Sequence, residues 1–125
     1  MITTIIFDVG EVYLKGLLGA EHFLEPILKI PSKEIYHKLR GDNLVALFHG
    51  KISEEKYWLN IVKENNWNID INELKKSIRD NFEEVEGTRE IIEKLKEKGF
   101  KLGLLSVHAS EWVDYNNKKF DYHKL

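Results

Sequence analysis

Apolar residues are concentrated in two short runs, one near each end of the chain, and the region between them has a helical spacing. The first run covers residues 2–7 and stops at Asp8, and the second covers residues 100–105 and stops at Ser106. Short runs of branched aliphatic residues that are bounded by polar residues and glycine are typical of buried strands. We therefore predict two buried strands, each followed directly by a polar side chain.

Between about residues 19 and 82 the apolar positions recur every three or four residues, which predicts a block of amphipathic helices. Residues that commonly cap a helix N-terminus divide this block, namely Ser32, Ser53 and Asp70. Glu73 lies three residues after Asp70, which is the spacing of a capping box. The predicted helices cover residues 32–39, about 43–48, 53 onward and 70 to about 82.

Two further helices are predicted on either side of the second strand. The first follows Gly87 and ends at Gly99, a typical residue after a helix C-terminus, and the second begins near Ala109. Two strands that are joined through a helix form a βαβ unit, which should be parallel. We therefore expect an α/β fold with a parallel sheet and an inserted helical block.

The helical block that follows Asp8 is too long for a crossover and too regular for a loop. We predict that residues 16–83 form a cap over the strand ends, and that residues 1–15 together with 84–125 form a partial α/β core. Within the cap, the segments 17–19 and 44–49 are expected to face a substrate.

Composition narrows the class of protein. With 125 residues, 42% of them hydrophobic and 32% charged, the chain has the make-up of a globular protein of at most one ordinary domain. It contains no cysteine, so disulfides and thiolate metal sites are excluded. The net charge of -2 argues against nucleic-acid binding, and no apolar stretch is long enough for a membrane span. We expect a cytoplasmic protein without a nucleic-acid or membrane partner.

Two roles are open for each polar residue at a strand end. Asp8 is placed where open α/β sheets bind their ligands, but an aspartate there also commonly caps a turn. Ser106 is suited either to a helix N-cap or to holding an anion. The five histidines lack metal-ligand spacing and are expected in surface or packing roles, with one of them close to this site: His22, His37, His49, His108 and His123.

The segments IIFDVGEV (residues 5–12) and LLS (residues 104–106) together resemble the haloacid dehalogenase-like (HAD) hydrolase superfamily. The first resembles motif I of that family, an apolar strand that ends in a nucleophilic aspartate. The second resembles motif II, an apolar strand that ends in serine or threonine. Residues 84–88 and the helix after them resemble the segment before motif II. The spacing is similar to that of the subgroup with a helical cap after motif I, and the resemblance implies a Rossmann-like core, here incomplete, with an inserted α-helical cap.

This resemblance implies a hydrolase, foremost a Mg²⁺-dependent phosphatase that acts on a small phosphorylated metabolite through an aspartyl-phosphate intermediate. It implies that Asp8 and Ser106 are the catalytic residues. Phosphate binding would fall to Ser106, Val107 and His108. The metal would be held by Asp8 and the backbone carbonyl of Gly10. From the residue alone, Gly10 is otherwise expected to be a turn glycine with left-handed backbone, and the two roles are compatible.

The chain departs from the family pattern in two respects. Most family phosphatases carry a second aspartate where this chain has Gly10, so the expected general acid is missing, and Glu11 is expected to face solvent rather than replace it. The lysine of motif III and the acidic pair of motif IV belong to elements later than Leu125, so a weak Mg²⁺ site is expected. The alternatives are a catalytically incompetent fragment or non-catalytic interaction module and, less favoured, a 2-haloacid dehalogenase.

A parallel sheet of only two strands would leave apolar edges unpaired. We therefore expect either that these residues are part of a longer chain or that another molecule covers the edges. A homodimer or a domain swap through the sheet edges is the physical route.

Overall fold

The computed structural model describes residues 1–125, except for the side chain of His123, so the role expected for that histidine lies outside the described side chains. The architecture is α/β, as predicted. Strands β1 (Thr4–Asp8) and β2 (Lys101–Leu105) form the sheet. The helices are α1 (Ala20–Leu28), α2 (Ser32–Leu39), α3 (Asp42–Phe48), α4 (Glu54–Asn65), α5 (Ile71–Asn81), α6 (Thr88–Glu97) and α7 (Ser110–Phe120), followed by a 3-10 turn at Tyr122–Lys124.

The two strands pair in parallel, which confirms the predicted βαβ arrangement. Thr4 is opposite Lys101 at one end of the pair, and Asp8 is opposite Leu105 at the other. Because carboxyl ends of parallel strands lie at the same edge of a sheet, this register brings the residues after Leu105 beside Asp8.

The expectation that both strands are buried is wrong for one face of the sheet. The side chains of Ile6 and Leu105 are 63% and 72% exposed. Successive residues of a strand point to opposite faces, and Phe7 and Leu102 on the other face pack against the buried residues Tyr13 and Ile92. The described residues thus cover one face of the sheet in part, since Leu104 on it is 44% exposed, and leave the face of Ile6 and Leu105 open.

Side-chain caps begin two of the three helices for which the sequence predicts one. The prediction for Ser32 is wrong, because Ser32 is the first residue of α2 and its hydroxyl donates a hydrogen bond to Glu25. The Oγ atom of Ser53 accepts a hydrogen bond of 3.1 Å from the backbone N–H of Lys56 at the start of α4. The Oδ1 atom of Asp70 accepts one of 2.7 Å from the N–H of Asn72 at the start of α5. Each bond satisfies a backbone donor that has no partner within its own helix.

The buried apolar residues form a large cluster and a small one. Helices α1–α5 supply most of the large cluster, whose bulky members include Trp58 and Tyr57, and Ala109 and Trp112 join it from the later part of the chain. The small cluster lies under the sheet around Tyr13. The cap helices and α7 therefore share a core, and the division into residues 16–83 and the remainder stays a prediction. No helix along the described chain is long and apolar enough to cross a membrane.

Candidate active site

A cleft of about 430 Å³ opens at the ends of the two strands. Asp8 is the last residue of β1, and Ser106 follows the last residue of β2. The structure brings all five residues that the sequence assigns to a site into this one cleft, namely Asp8, Gly10, Ser106, Val107 and His108. Their placement agrees with the prediction, whereas their chemical roles stay predictions.

A tight turn after β1 carries the chain away from Asp8. The carbonyl oxygen of Val9 accepts hydrogen bonds of 2.9 Å from the N–H groups of both Tyr13 and Leu14. The residue with left-handed backbone is Glu11, with φ 61°, and not Gly10. The expectation that Gly10 supplies the left-handed position is therefore wrong, because the reversal falls one residue later.

The absence of a side chain at Gly10 is not imposed by crowding. A Cβ atom built on Gly10 has no heavy atom within 4 Å outside its chain neighbours. The backbone of Gly10 also lies outside the left-handed region that disfavours other residues. A Cβ atom could thus be added without steric cost at the position where most family phosphatases carry a second aspartate.

Glu11 does not take over that position. It lies along the cleft, and its Oε1 atom accepts a hydrogen bond of 2.8 Å from the backbone N–H of Gly16. The side chain is exposed, as expected. Its carboxylate therefore stabilises the connection from β1 into the cap.

His108 lies in an aromatic pocket at the inner wall of the cleft. Its ring is stacked on Phe48 at a centroid distance of 6.1 Å and meets Trp112 edge-on at 5.6 Å. Burial lowers the pKa of His108, and the negative charge of Asp8 offsets this only in part. The imidazole is therefore neutral near pH 7 and can either donate or accept a hydrogen bond at the cleft.

Residues of the cap form the opposite wall of the cleft. The segments expected there, 17–19 and 44–49, supply four of its side chains. Two more were not predicted, namely Tyr36 on α2 and Arg40 directly after that helix. The two are four residues apart and so share a helix face. That spacing was visible in the sequence, but the side of α2 that faces the cleft was not. The cap residues along the cleft are Gly16, Leu17, Leu18, Tyr36, Arg40, Leu44 and Phe48.

A buried ion pair fixes the position of Trp112, which forms part of the cleft. The indole Nε1 of Trp112 donates a hydrogen bond of 2.7 Å to Oε2 of Glu54, and two nitrogens of Arg79 donate bonds of 2.8 and 2.7 Å to the same carboxylate. Burial would raise the pKa of Glu54, but the bonds from Arg79 and Trp112 outweigh it and hold that pKa below its usual value. The charged carboxylate thus joins α4, α5 and α7 behind the cleft.

The donors available to a metal are oxygen atoms. Asp8 and Gly10 both line the cleft, and a carboxylate and a backbone carbonyl are among the ligands that Mg²⁺ binds. Among the described side chains, no group of three or more aspartate, glutamate, histidine or cysteine residues could hold a metal ion. The donors match Mg²⁺ in kind, and most of the coordination shell would have to come from phosphate and water.

A family profile described as haloacid dehalogenase-like hydrolase matches residues 15–125. The chain belongs to the haloacid dehalogenase-like hydrolases. The family assignment that the motifs suggested is therefore confirmed over most of the chain. Because the matched range begins after Asp8, the case for that residue depends on its position at the end of β1.

Solved structures of HAD family enzymes share the fold. One is an enzyme of Bacteroides thetaiotaomicron, solved as the wild-type protein in complex with magnesium and inorganic phosphate, with a TM-score of 0.71 and 15% identity. A second structure of a HAD family enzyme from that organism has a TM-score of 0.69 and 17% identity. Each comparison covers 94% of this chain and 59% of the other. The chain thus spans about three fifths of these relatives. No curated protein matches the sequence.

Proposed function

We propose that this chain provides the nucleophile and a phosphate-binding group of a phosphatase that acts on small phosphorylated metabolites. The observation that supports this proposal is the pairing of β1 with β2, which brings Asp8 and Ser106 to the same edge of the sheet in one cleft. Membership of the HAD hydrolases supports the hydrolytic class.

In the proposed reaction, a carboxylate oxygen of Asp8 attacks the phosphorus atom of a phosphomonoester. The bond from phosphorus to the leaving oxygen breaks, and that oxygen takes a proton from solvent because no acid side chain is present at Gly10. Water then attacks the aspartyl phosphate, which releases inorganic phosphate and restores the carboxylate. Covalent catalysis of this type divides one difficult step into two easier ones.

Ser106 and His108 would position the phosphoryl group. The hydroxyl of Ser106 can donate a hydrogen bond to a phosphate oxygen, and the neutral imidazole of His108 can donate another. The backbone N–H of Val107 lies between them in sequence and offers a third donor. Phosphoryl transfer depends mainly on positioning and on charge neutralisation, which is the contribution of these groups.

We propose Mg²⁺ as the counter-charge, held by the Asp8 carboxylate and the carbonyl of Gly10. When bound, it would neutralise charge on the phosphoryl oxygens. The magnesium and phosphate in the first solved relative support this assignment for the fold.

Hydrolysis of p-nitrophenyl phosphate with Mg²⁺ tests the proposal. We expect activity from the chain, loss of that activity in Asp8→Asn, and normal activity in Asp114→Asn, which changes an exposed aspartate on α7 away from the cleft. Equal activity in Asp8→Asn and the unmodified chain would contradict the role of Asp8.

A second candidate is a non-catalytic module that binds phosphate without turnover. Gly10 in place of the second aspartate, together with the small number of metal ligands among the described residues, favours it. Phosphate binding without hydrolysis would support this candidate. A 2-haloacid dehalogenase is the third candidate, and release of chloride from 2-chloropropionate would identify it.

A further inference from the structure

Arg40 is held in a fixed orientation at the cap wall of the cleft. It follows the last residue of α2, and its guanidinium carbon lies 3.6 Å from the centre of the Tyr36 ring. One terminal nitrogen, NH1, donates a hydrogen bond of 3.0 Å to the carbonyl oxygen of Tyr36. Stacking and hydrogen bonding together restrict the plane of the guanidinium, which leaves most of its N–H donors for other partners.

The ion pairs among the described side chains do not include Arg40. Arg79 is paired with Glu54 and Arg89 with Glu84, but no carboxylate among the described side chains lies within ion-pair distance of Arg40. Arg40 is nonetheless half-buried along the cleft. A partly desolvated cation with free planar donors is well suited to binding a carboxylate or phosphate.

Arg40 also has a distinct place in the charge pattern of the cleft. The other ionisable side chains along it are the carboxylates Asp8 and Glu11, the phenol of Tyr36 and the imidazole of His108. Arg40 is therefore the one fixed positive charge among the described cleft residues. It comes from the cap, whereas Asp8 and Ser106 come from the sheet.

We propose that Arg40, oriented by Tyr36, binds a second anionic group of the substrate. The substrates would then be phosphomonoesters whose leaving group carries a carboxylate or a second phosphate. This inference rests on the proposed function, because the phosphate ester must be held by Asp8 and Ser106 for its leaving group to reach the cap. Tyr36 is a positioning residue in this arrangement.

Binding to the Asp8→Asn variant tests the inference without hydrolysis. Isothermal titration with Mg²⁺ would compare three two-carbon ligands: ethyl phosphate, phosphoglycolate and the bisphosphate of ethanediol. The first carries the phosphate ester alone, the second adds a carboxylate, and the third adds a second phosphate. We expect at least one of the two doubly anionic ligands, phosphoglycolate or the bisphosphate, to bind at least about tenfold more tightly than ethyl phosphate. A gain of this size is typical of one hydrogen bond to a charged group.

Substitution of Arg40 should remove this preference. In Asp8→Asn with Arg40→Met, we expect the three ligands to bind with similar affinity, and Arg40→Lys should retain part of the preference because it keeps the charge but not the planar donors. Tyr36→Leu should weaken the preference with Arg40 intact. Lys38→Met, an exposed change on the same helix, should leave it unchanged.

The outcomes separate this inference from the proposed function. If ethyl phosphate and both other ligands fail to bind, the proposed function is contradicted and the inference with it. If all three bind equally to Asp8→Asn, or if the preference persists in Arg40→Met, the assignment of Arg40 is overturned while the phosphate site stands. An equal loss of affinity for all three ligands in Arg40→Met would also overturn it, since Arg40 would then contact the phosphate ester itself.

Discussion

The indole nitrogen of Trp112 donates a hydrogen bond of 2.7 Å to the buried carboxylate of Glu54, 58 residues earlier in the chain. Glu54 begins α4 of the cap, and Trp112 lies on α7 beside the cleft. Arg79 completes the group through a bidentate ion pair. This contact fixes the cap helices against the segment that follows Ser106, and so it stabilises both the fold and the shape of the cleft.

Glu54→Gln should strongly destabilise the protein. The amide removes the negative charge that compensates Arg79, and breaking a buried ion pair by changing one partner costs about 3 kcal/mol. Urea denaturation followed by tryptophan fluorescence would measure the loss. The exposed neighbour provides the control, because Glu55→Gln should change the free energy of unfolding by less than about 0.5 kcal/mol. Equal stability of the two variants would contradict the role assigned to Glu54.

The stability of the chain should fall in acid partly because of Glu54. The pKa of this carboxyl group is below its usual value of 4.5 in the folded state, so its contribution is fully present above pH 4.5 and is lost as the pH falls through the lower folded-state pKa. Unfolding free energies measured from pH 7 to pH 3 should therefore decline less steeply in Glu54→Gln than in the unmodified chain. Parallel pH profiles for the two proteins would show that Glu54 contributes nothing to acid sensitivity.

Gly10→Asp should increase phosphomonoester hydrolysis. The position has room for a Cβ atom and no left-handed backbone, so we expect the variant to fold. A carboxyl group there could protonate the leaving oxygen, and general acid catalysis typically contributes about 100-fold or more. Gly10→Asn is the matched control, because it adds a similar volume without a titratable group. If the two variants have equal rates of p-nitrophenyl phosphate hydrolysis, general acid catalysis from this position is excluded.

The open face of the sheet should promote self-association. Ile6 and Leu105 expose aliphatic side chains on it, and each strand in the described two-stranded sheet has one unpaired edge. We expect sedimentation velocity to show a mass that increases with concentration, and Leu105→Lys to reduce it. Leu59→Lys, which changes an exposed leucine of α4, should have no effect. A monomer at all concentrations would rule out association of this chain with itself.

Features that depend on local signals were predictable from the sequence. Ser53 and Asp70 cap the helices that they were expected to cap, since N-cap preferences act within a few residues. The parallel strands that end at Asp8 and Leu105 followed from two apolar runs joined through a helix. The residues that the sequence assigned to a site at the strand ends therefore lie in one cleft, while their roles stay predictions.

Features that depend on tertiary packing were not predictable in the same way. Periodicity identified Ile6 as a strand residue, but it cannot show whether another element covers that face of the sheet. Arg40 belongs to the cleft only because α2 packs with its Tyr36 face toward the strand ends. The contact of Glu54 with Trp112 joins positions that no sequence spacing connects. Each of these depends on how helices are placed around the sheet.

The central claim is that Asp8 accepts a phosphoryl group in the cleft beside Ser106. Incubation with acetyl phosphate and Mg²⁺, acid quenching and peptide mass spectrometry would test it most directly. We predict that one phosphoryl group is attached to Asp8, and that it is absent from Asp8→Asn and reduced in Ser106→Ala. An unphosphorylated Asp8, or a phosphoryl group of equal yield in Asp8→Asn, would contradict the claim.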